Sequence, residues 1–145
     1  MPTERLEDAH AYRLQRLGRL LRYHLLQWLQ PHELTPEQFL ILFRLRERDG
    51  RVQKELVDPA FDDRANITHL VNQLEKGGLV VRQRDEADGR RRRVFLTGAG
   101  ADRIGAILAA APGVRGDLFQ DFTEAELGQL MAFVERLEAR LQQPD

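Results

Sequence analysis

Four consecutive arginines, Arg90 to Arg93, stand out first in this sequence of 145 residues. Like charges in succession repel one another unless an anion compensates them, and guanidinium groups offer a planar fork of donors suited to phosphate oxygens and guanine edges. Arg82 and Arg84 lie just upstream, and Asp88-Gly89 between the two groups is a strong hairpin-turn dipeptide. The spacing predicts a two-stranded ribbon, Leu79 to Arg84 and Arg92 to Leu96, with positive charge at its tip. Alternation turns Val94 and Leu96 inward and some of the arginines outward. Such a ribbon fits the minor groove of double-stranded DNA, where the potential is most negative. Asp85 and Asp88 read as residues that hold the turn, with Asp88 anchoring Arg90 by a charge-assisted pair. The alternative is an edge hairpin kept soluble by its charge.

The second group with chemistry to offer lies between Arg64 and Lys76. At 100° per residue Ile67, Leu70, Val71 and Leu74 share one arc of a helix, and Asn66, Thr68, His69, Asn72, Gln73 and Lys76 occupy the other. Ala65 lies near the middle of the polar arc and leaves room for close approach. Asn and Gln pair with adenine edges in the major groove, and few carboxylates here would repel phosphate. Arg64, Ala65, Asn66, Thr68, His69, Asn72, Gln73 and Lys76 are therefore candidate DNA-binding residues, together with Arg84, Asp88, Arg90, Arg91, Arg92 and Arg93 of the ribbon. An ordinary amphipathic helix with a solvated outer face would show a similar pattern, although solvated faces usually carry Lys–Glu pairs.

The elements that must position these groups are mostly helical. A first helix is expected from Leu6 to Gln30, with Leu14, Leu17, Leu21, Leu25 and Trp28 on one face, stopped by Pro31. Thr35, Pro36 and Gln38 form an N-cap, first-turn proline and capping box for a second, strongly apolar helix that ends at Asp49-Gly50. A short helix follows through Gln53 to Val57, limited by Pro59. Asp62-Asp63 offers the N-cap for the Arg64–Lys76 helix, and Gly77-Gly78 ends it. Thr97 caps a helix through Ile104 and Leu108, which Pro112-Gly113 bends or breaks. The last helix starts at Thr123, with Glu126 closing its capping box and a stripe of Leu127, Leu130, Met131, Val134, Leu137 and Leu141. The apolar stripes on the first and last helices suit packing within the chain or against a second copy.

Composition narrows the function. The net charge is −1, yet Arg64 to Thr97 carries eight basic residues against four acidic, and Gly98 to Asp145 carries four against eight. One surface is thus suited to a polyanion and another is turned away from it. With 42% apolar residues the chain can bury a core, but one this small is often completed by oligomerisation. The sequence lacks cysteine, and His10, His24, His32 and His69 are scattered, so no metal site or thiol chemistry is expected. No cofactor is expected either. There is no run of about 18 apolar residues and no signal-peptide core at the N-terminus, so the expected protein is soluble and cytoplasmic, without a membrane span. A nucleophile constellation or phosphate loop is also missing, which argues against an enzyme.

In this order of elements the sequence resembles the MarR family of bacterial regulators. The resemblance is carried by Leu34-Thr35-Pro36-Glu37-Gln38-Phe39, by the stretch from Asn66 to Val80, and by Asp85 to Arg91 leading to Leu96-Thr97. The family's wing motif, an Asp followed two residues later by an Arg, falls on Asp88 and Arg90. The resemblance implies a mainly α fold with a small β-wing, a winged helix-turn-helix flanked by N- and C-terminal dimerisation helices. The expected division is residues 1–33 for the N-terminal dimerisation helix, 34–97 for the DNA-binding domain and 98–145 for the C-terminal dimerisation helices. It implies a homodimeric transcription regulator, a repressor released from a pseudo-palindromic operator by a small aromatic or phenolic effector. Candidate effector-binding residues are Tyr12, Tyr23, His24 and Trp28, for which packing in the core or dimer interface is the alternative. The competing function is a winged-helix module that binds protein without specific DNA binding; it predicts an apolar patch where the arginines stand.

Overall fold

The computed structural model describes residues 5–58, 64–110 and 118–142. The chain divides into two units, Met1–Ala109 and Ala110–Asp145. Among the described residues the first unit holds four α-helices, α1 (His10–Leu29), α2 (Pro36–Glu47), α3 (Arg64–Lys76) and α4 (Gly98–Ala109), and three strands, β1 (Arg51–Val52), β2 (Val80–Arg84) and β3 (Arg92–Leu96). The second holds α5 (Glu124–Leu141). The described fold is thus mainly α with a small antiparallel wing. The expected cap at Asp62-Asp63, the limit set by Pro59 and the break at Pro112-Gly113 lie outside the described residues.

Helix α2 is the centre of the first unit because its sequence gives it apolar residues on more than one side. Phe39, Ile41, Leu42 and Leu45 are buried, and Leu40 and Phe43 pack against the same core. The helix touches α1, α3, α4 and β3. Its start follows the expected chemistry: Gln38 N–H donates to Thr35 Oγ1 at 3.2 Å and Thr35 N–H to Gln38 Oε1 at 3.0 Å, with Pro36 in the first turn. Around it, Leu29 from α1, Leu34, Leu56, four residues of α3, Leu79, Val80, Val94, Ile104 and Ile107 complete one cluster.

Helix α1 begins later than the first-helix pattern suggests. Leu6–Asp8 forms a 3-10 turn and Ala9 is extended, so the α-helix starts at His10. Leu6 is largely exposed and adds no burial that would favour continuing the helix. At the other end a 3-10 turn at Gln30–His32 contains Pro31, and Glu33 takes a left-handed conformation before α2.

Strand β1 is the other departure. Two residues are too short to show alternation, yet Arg51 and Val52 pair with Val94 and Arg93, which makes β3 the central strand in the order β1-β3-β2. Asp49 Oδ1 accepts Leu96 N–H at 2.9 Å and fixes this added edge. Helix α4 sits against the α3–β2 connection, where Thr97 Oγ1 accepts Gly100 N–H at 3.0 Å and donates to Gly78 O at 2.6 Å.

In the second unit Thr123 and Glu126 form the expected capping box of α5. Its stripe is exposed in the single chain at Leu130, Met131, Leu137 and Leu141.

The candidate nucleic-acid interface

Helix α3 is docked by the arc that helical spacing assigns to the core: Ile67, Leu70, Val71 and Leu74 are all buried. Docking them dictates what faces out. Arg64, Ala65, Thr68, His69, Asn72, Gln73 and Lys76 are exposed, and Asn66 is half-buried. The helix is terminated by glycine chemistry, with Gly78 at φ +77° and Leu79 N–H returning to Leu74 O at 3.0 Å. That reversal sends the chain directly into β2, so the wing is tied to the end of the exposed helix.

The two amides near the C-terminal half of α3 differ in what they have left to offer. Gln73 Oε1 accepts from Gln38 Nε2 at 3.2 Å, so its carbonyl is already engaged. Asn72 has no such partner among the described residues and keeps both its donor and its acceptor. A bidentate contact with adenine requires both.

Strand register sorts the arginines. Val80, Arg82 and Arg84 lie opposite Leu96, Val94 and Arg92 on one face of the ribbon. Near the core that face is apolar, then Arg82 turns to α3, and beyond it come Arg84 and Arg92 side by side. Cross-strand partners stand about 5 Å apart at Cβ, where like charges destabilise the pair. Arg84, Arg90 and Arg92 are exposed and have no ion-pair partner among the described residues. An anion between them would relieve the repulsion.

Arg93 has a different environment. It lies on the opposite face, where Nη1 donates to Gly50 O at 2.7 Å and Nη2 reaches Asp85 Oδ2 at 3.3 Å. These contacts give it a fastening role between β3 and the α2–β1 turn. Asp88 also acts differently from its expected pairing. Its Oδ1 accepts the backbone N–H of Arg90 at 3.0 Å, but its ion-pair contact is with Arg91 Nε at 3.6 Å. Asp88 thus anchors the Arg90 backbone and leaves the Arg90 guanidinium unpaired, because the turn brings residue 91 over the carboxylate.

Two carboxylates of this basic module, Asp85 and Glu55, are engaged locally. Asp85 is held below the usual carboxylate range, first by the backbone N–H of Ala87 against a smaller opposing effect of burial, and then by Arg93. For Glu55, burial pushes upward, but the Val52 backbone N–H and Arg48 outweigh it and hold the group low. Ionised and bonded inward, these groups hold turns and are no obstacle to a polyanion.

Three positions outside the candidate DNA-binding set sit between helix and wing. Arg82, its side chain only 10% exposed, contacts Glu75 Oε1 through Nη1 at 3.1 Å and Gln53 Oε1 through Nε and Nη2 at 3.3 and 3.2 Å. Gln53 and Lys54 line a recess of about 280 Å³ with Arg64, Ile67 and Thr68, and a second of about 310 Å³ with Arg90, Arg91 and Arg92. The second is a cationic hollow between the 3-10 turn Gln53–Leu56 and the wing. Lys54, one of the chain's two lysines, was the available signal for it.

The candidate effector residues are not brought together. Trp28 packs edge-on against Phe39, with centroids 5.5 Å apart, as a core-edge residue. Tyr23 lines an open recess of about 510 Å³ with Leu26, Gln27, Gln30, Leu34 and Thr35. Tyr12 lines a separate one with Gln15, Arg16 and Arg19, eleven residues earlier along α1. His24 is exposed and lines neither of these. Among the described residues no group of His and acidic side chains could hold a metal, and no helix is long and apolar enough to cross a membrane.

Comparison with known proteins places these features in company. A family model described as MarR family matches residues 34–91. The transcriptional regulator HosA of Escherichia coli O157:H7 is 32% identical over 128 residues, covering 86% of this chain and 87% of that protein. A probable transcriptional regulator from Pseudomonas aeruginosa is 31% identical with a TM-score of 0.81, covering 92% of this chain and 99% of its own. The transcriptional repressor CouR, bound to a 23-mer DNA duplex, is 25% identical with a TM-score of 0.83, covering 92% of this chain and 94% of its own.

Proposed function

Because the chain belongs to the MarR family of transcription regulators, we propose that it acts as a homodimeric repressor on a pseudo-palindromic operator. Helix α3 enters the major groove with Asn72 as its principal base reader, and Arg64, Ala65, Asn66, Thr68, His69, Gln73 and Lys76 line the contact. Arg84, Arg90, Arg91 and Arg92 lie along the backbone and minor groove, with Arg93 and Asp88 holding the wing's shape. The carrying observation is the cross-strand pair Arg84–Arg92, exposed and uncompensated on the face of the ribbon that Arg82 turns to α3. A two-fold dimer places the helices about 34 Å apart, one turn of DNA.

A second copy is supported by the apolar faces left open on α1, where Leu14 and Leu17 are half exposed, and on α5. The recess at Tyr23 supports release by a small aromatic or phenolic ligand, with an aromatic wall and the polar rim of Gln27, Gln30 and Thr35. The reading as a protein-interaction module is less favoured, because the wing presents arginines where that function needs an apolar patch.

Replacing Asn72 with Ala is expected to relax preference at one base pair of each half-site by about 1–3 kcal/mol, with nearly unchanged affinity for non-cognate duplex. Competition titrations against single-position variants of the preferred duplex measure this. Discrimination unchanged at every position would remove Asn72 as the reader.

A further inference from the structure

The polar contacts around Arg82 form a chain whose direction is fixed from one end. A guanidinium has donors and no acceptor. Arg82 Nε and Nη2 both donate to Gln53 Oε1, so the Gln53 amide has one workable orientation; the flipped form would set an NH2 group against the guanidinium. Its Nε2 then donates to Thr68 Oγ1 at 2.7 Å. Thr68 accepts there, and its single hydroxyl proton goes to Arg64 O at 3.0 Å, one turn back along α3. Glu75 secures the far end by accepting Arg82 Nη1 at 3.1 Å and the Arg82 backbone N–H at 3.0 Å.

Oγ1 of Thr68 is therefore turned to the protein, with its proton and one lone pair in use, although the residue itself is exposed. Phosphate oxygens, purine N7, guanine O6 and thymine O4 are all acceptors and need a donor. With its proton spent, Thr68 can offer a partner only its second lone pair, which among base edges suits an adenine or cytosine amino group, or its methyl, whose apolar counterpart on the major-groove floor is the thymine C5-methyl. We infer that Gln53 is a positioning residue that holds the Thr68 hydroxyl away from DNA, so that Thr68 recognises a thymine by methyl–methyl contact. This rests on the reading of α3 as the groove helix.

The test uses the full chain and the duplex that it selects most strongly from random-sequence DNA. Each thymine in turn is replaced by uracil, which lacks only the C5-methyl. One position in each half-site is expected to lose about fourfold in affinity, the worth of one buried methyl group. Thr68→Val should keep that thymine-over-uracil ratio, and Thr68→Ser and Thr68→Ala should abolish it. Gln53→Ala, which lets the hydroxyl turn and takes an acceptor from the largely buried Arg82, should lower the ratio together with the melting temperature; a role confined to stability would lower the melting temperature and spare the ratio. Loss of the ratio in Thr68→Val with retention in Thr68→Ser would overturn the inference in favour of a hydroxyl contact. A preferred duplex with no uracil-sensitive position that depends on residue 68 would overturn it as well, and leave the function standing. Failure to prefer any duplex would remove both.

Discussion

Replacing Gly100 with Ala is expected to destabilise the fold by about 3 kcal/mol, a drop in melting temperature of roughly 10 °C for a chain of this size. A Cβ at this position would lie 1.9 Å from the carbonyl oxygen of Leu79 and 3.3 Å from Leu96 Cδ2. The obstacle is backbone and cannot rotate away. That same oxygen accepts Thr97 N–H at 3.1 Å, and Thr97 caps α4 through Gly100 N–H. Displacing α4 to admit the methyl therefore strains the cap, whose loss alone costs about 1 kcal/mol. Gly98, two residues earlier, has nothing within 4 Å of an added Cβ. Gly98→Ala should be neutral or slightly stabilising, since Ala is the better helix former. Thermal denaturation followed by circular dichroism separates the two; equal melting temperatures would mean that α4 does not seat on Leu79.

The paired replacement Arg90→Ala and Arg92→Ala is expected to move stability and binding in opposite directions. Relief of the Arg84–Arg92 repulsion should leave the fold as stable as before or stabilise it by about 0.2–1 kcal/mol. Affinity for duplex DNA should fall on the order of tenfold or more, nearly uniformly across sequences. The slope of log affinity against log salt should flatten by about 0.9 for each phosphate that is no longer neutralised. Arg93→Ala supplies the contrast. Removing its bonds to Gly50 O and Asp85 should lower stability, with a smaller change in salt slope. An unchanged slope in the paired variant would show that the wing does not reach the phosphate backbone.

The elements that carry the interface were legible because their signals are local. Four apolar residues at helical spacing and a glycine pair bounded α3 at the residues the structure gives it, and Asp88-Gly89 between two runs of strand formers marked the hairpin. Strand β1 was not legible, since two residues carry no period and their pairing with β3 depends on a partner more than forty positions away. The division of labour among the arginines was hidden for the same kind of reason. In the sequence Arg90 to Arg93 look equivalent; register puts Arg92 beside Arg84 and Arg93 on the other face, against a carbonyl at residue 50. Gln53 looked like one more polar residue in a short helix until the fold set it between Thr68 and Arg82, which is 29 positions away in the chain. The late start of α1 had no capping signal, because Ala9 provides no side-chain bond.

If the exposed face of α3 reads double-stranded DNA, seated by the arginine wing in a two-fold dimer, the protein must choose its own binding site from an unbiased pool. Selection of bound duplexes from random-sequence DNA by the purified protein at physiological salt, followed by sequencing, measures that choice. The expected outcome is enrichment of an inverted repeat with half-sites centred one helical turn apart, bound about a thousandfold or more tighter than unselected DNA. A bound pool indistinguishable from the input, or a motif without two-fold symmetry, would refute it.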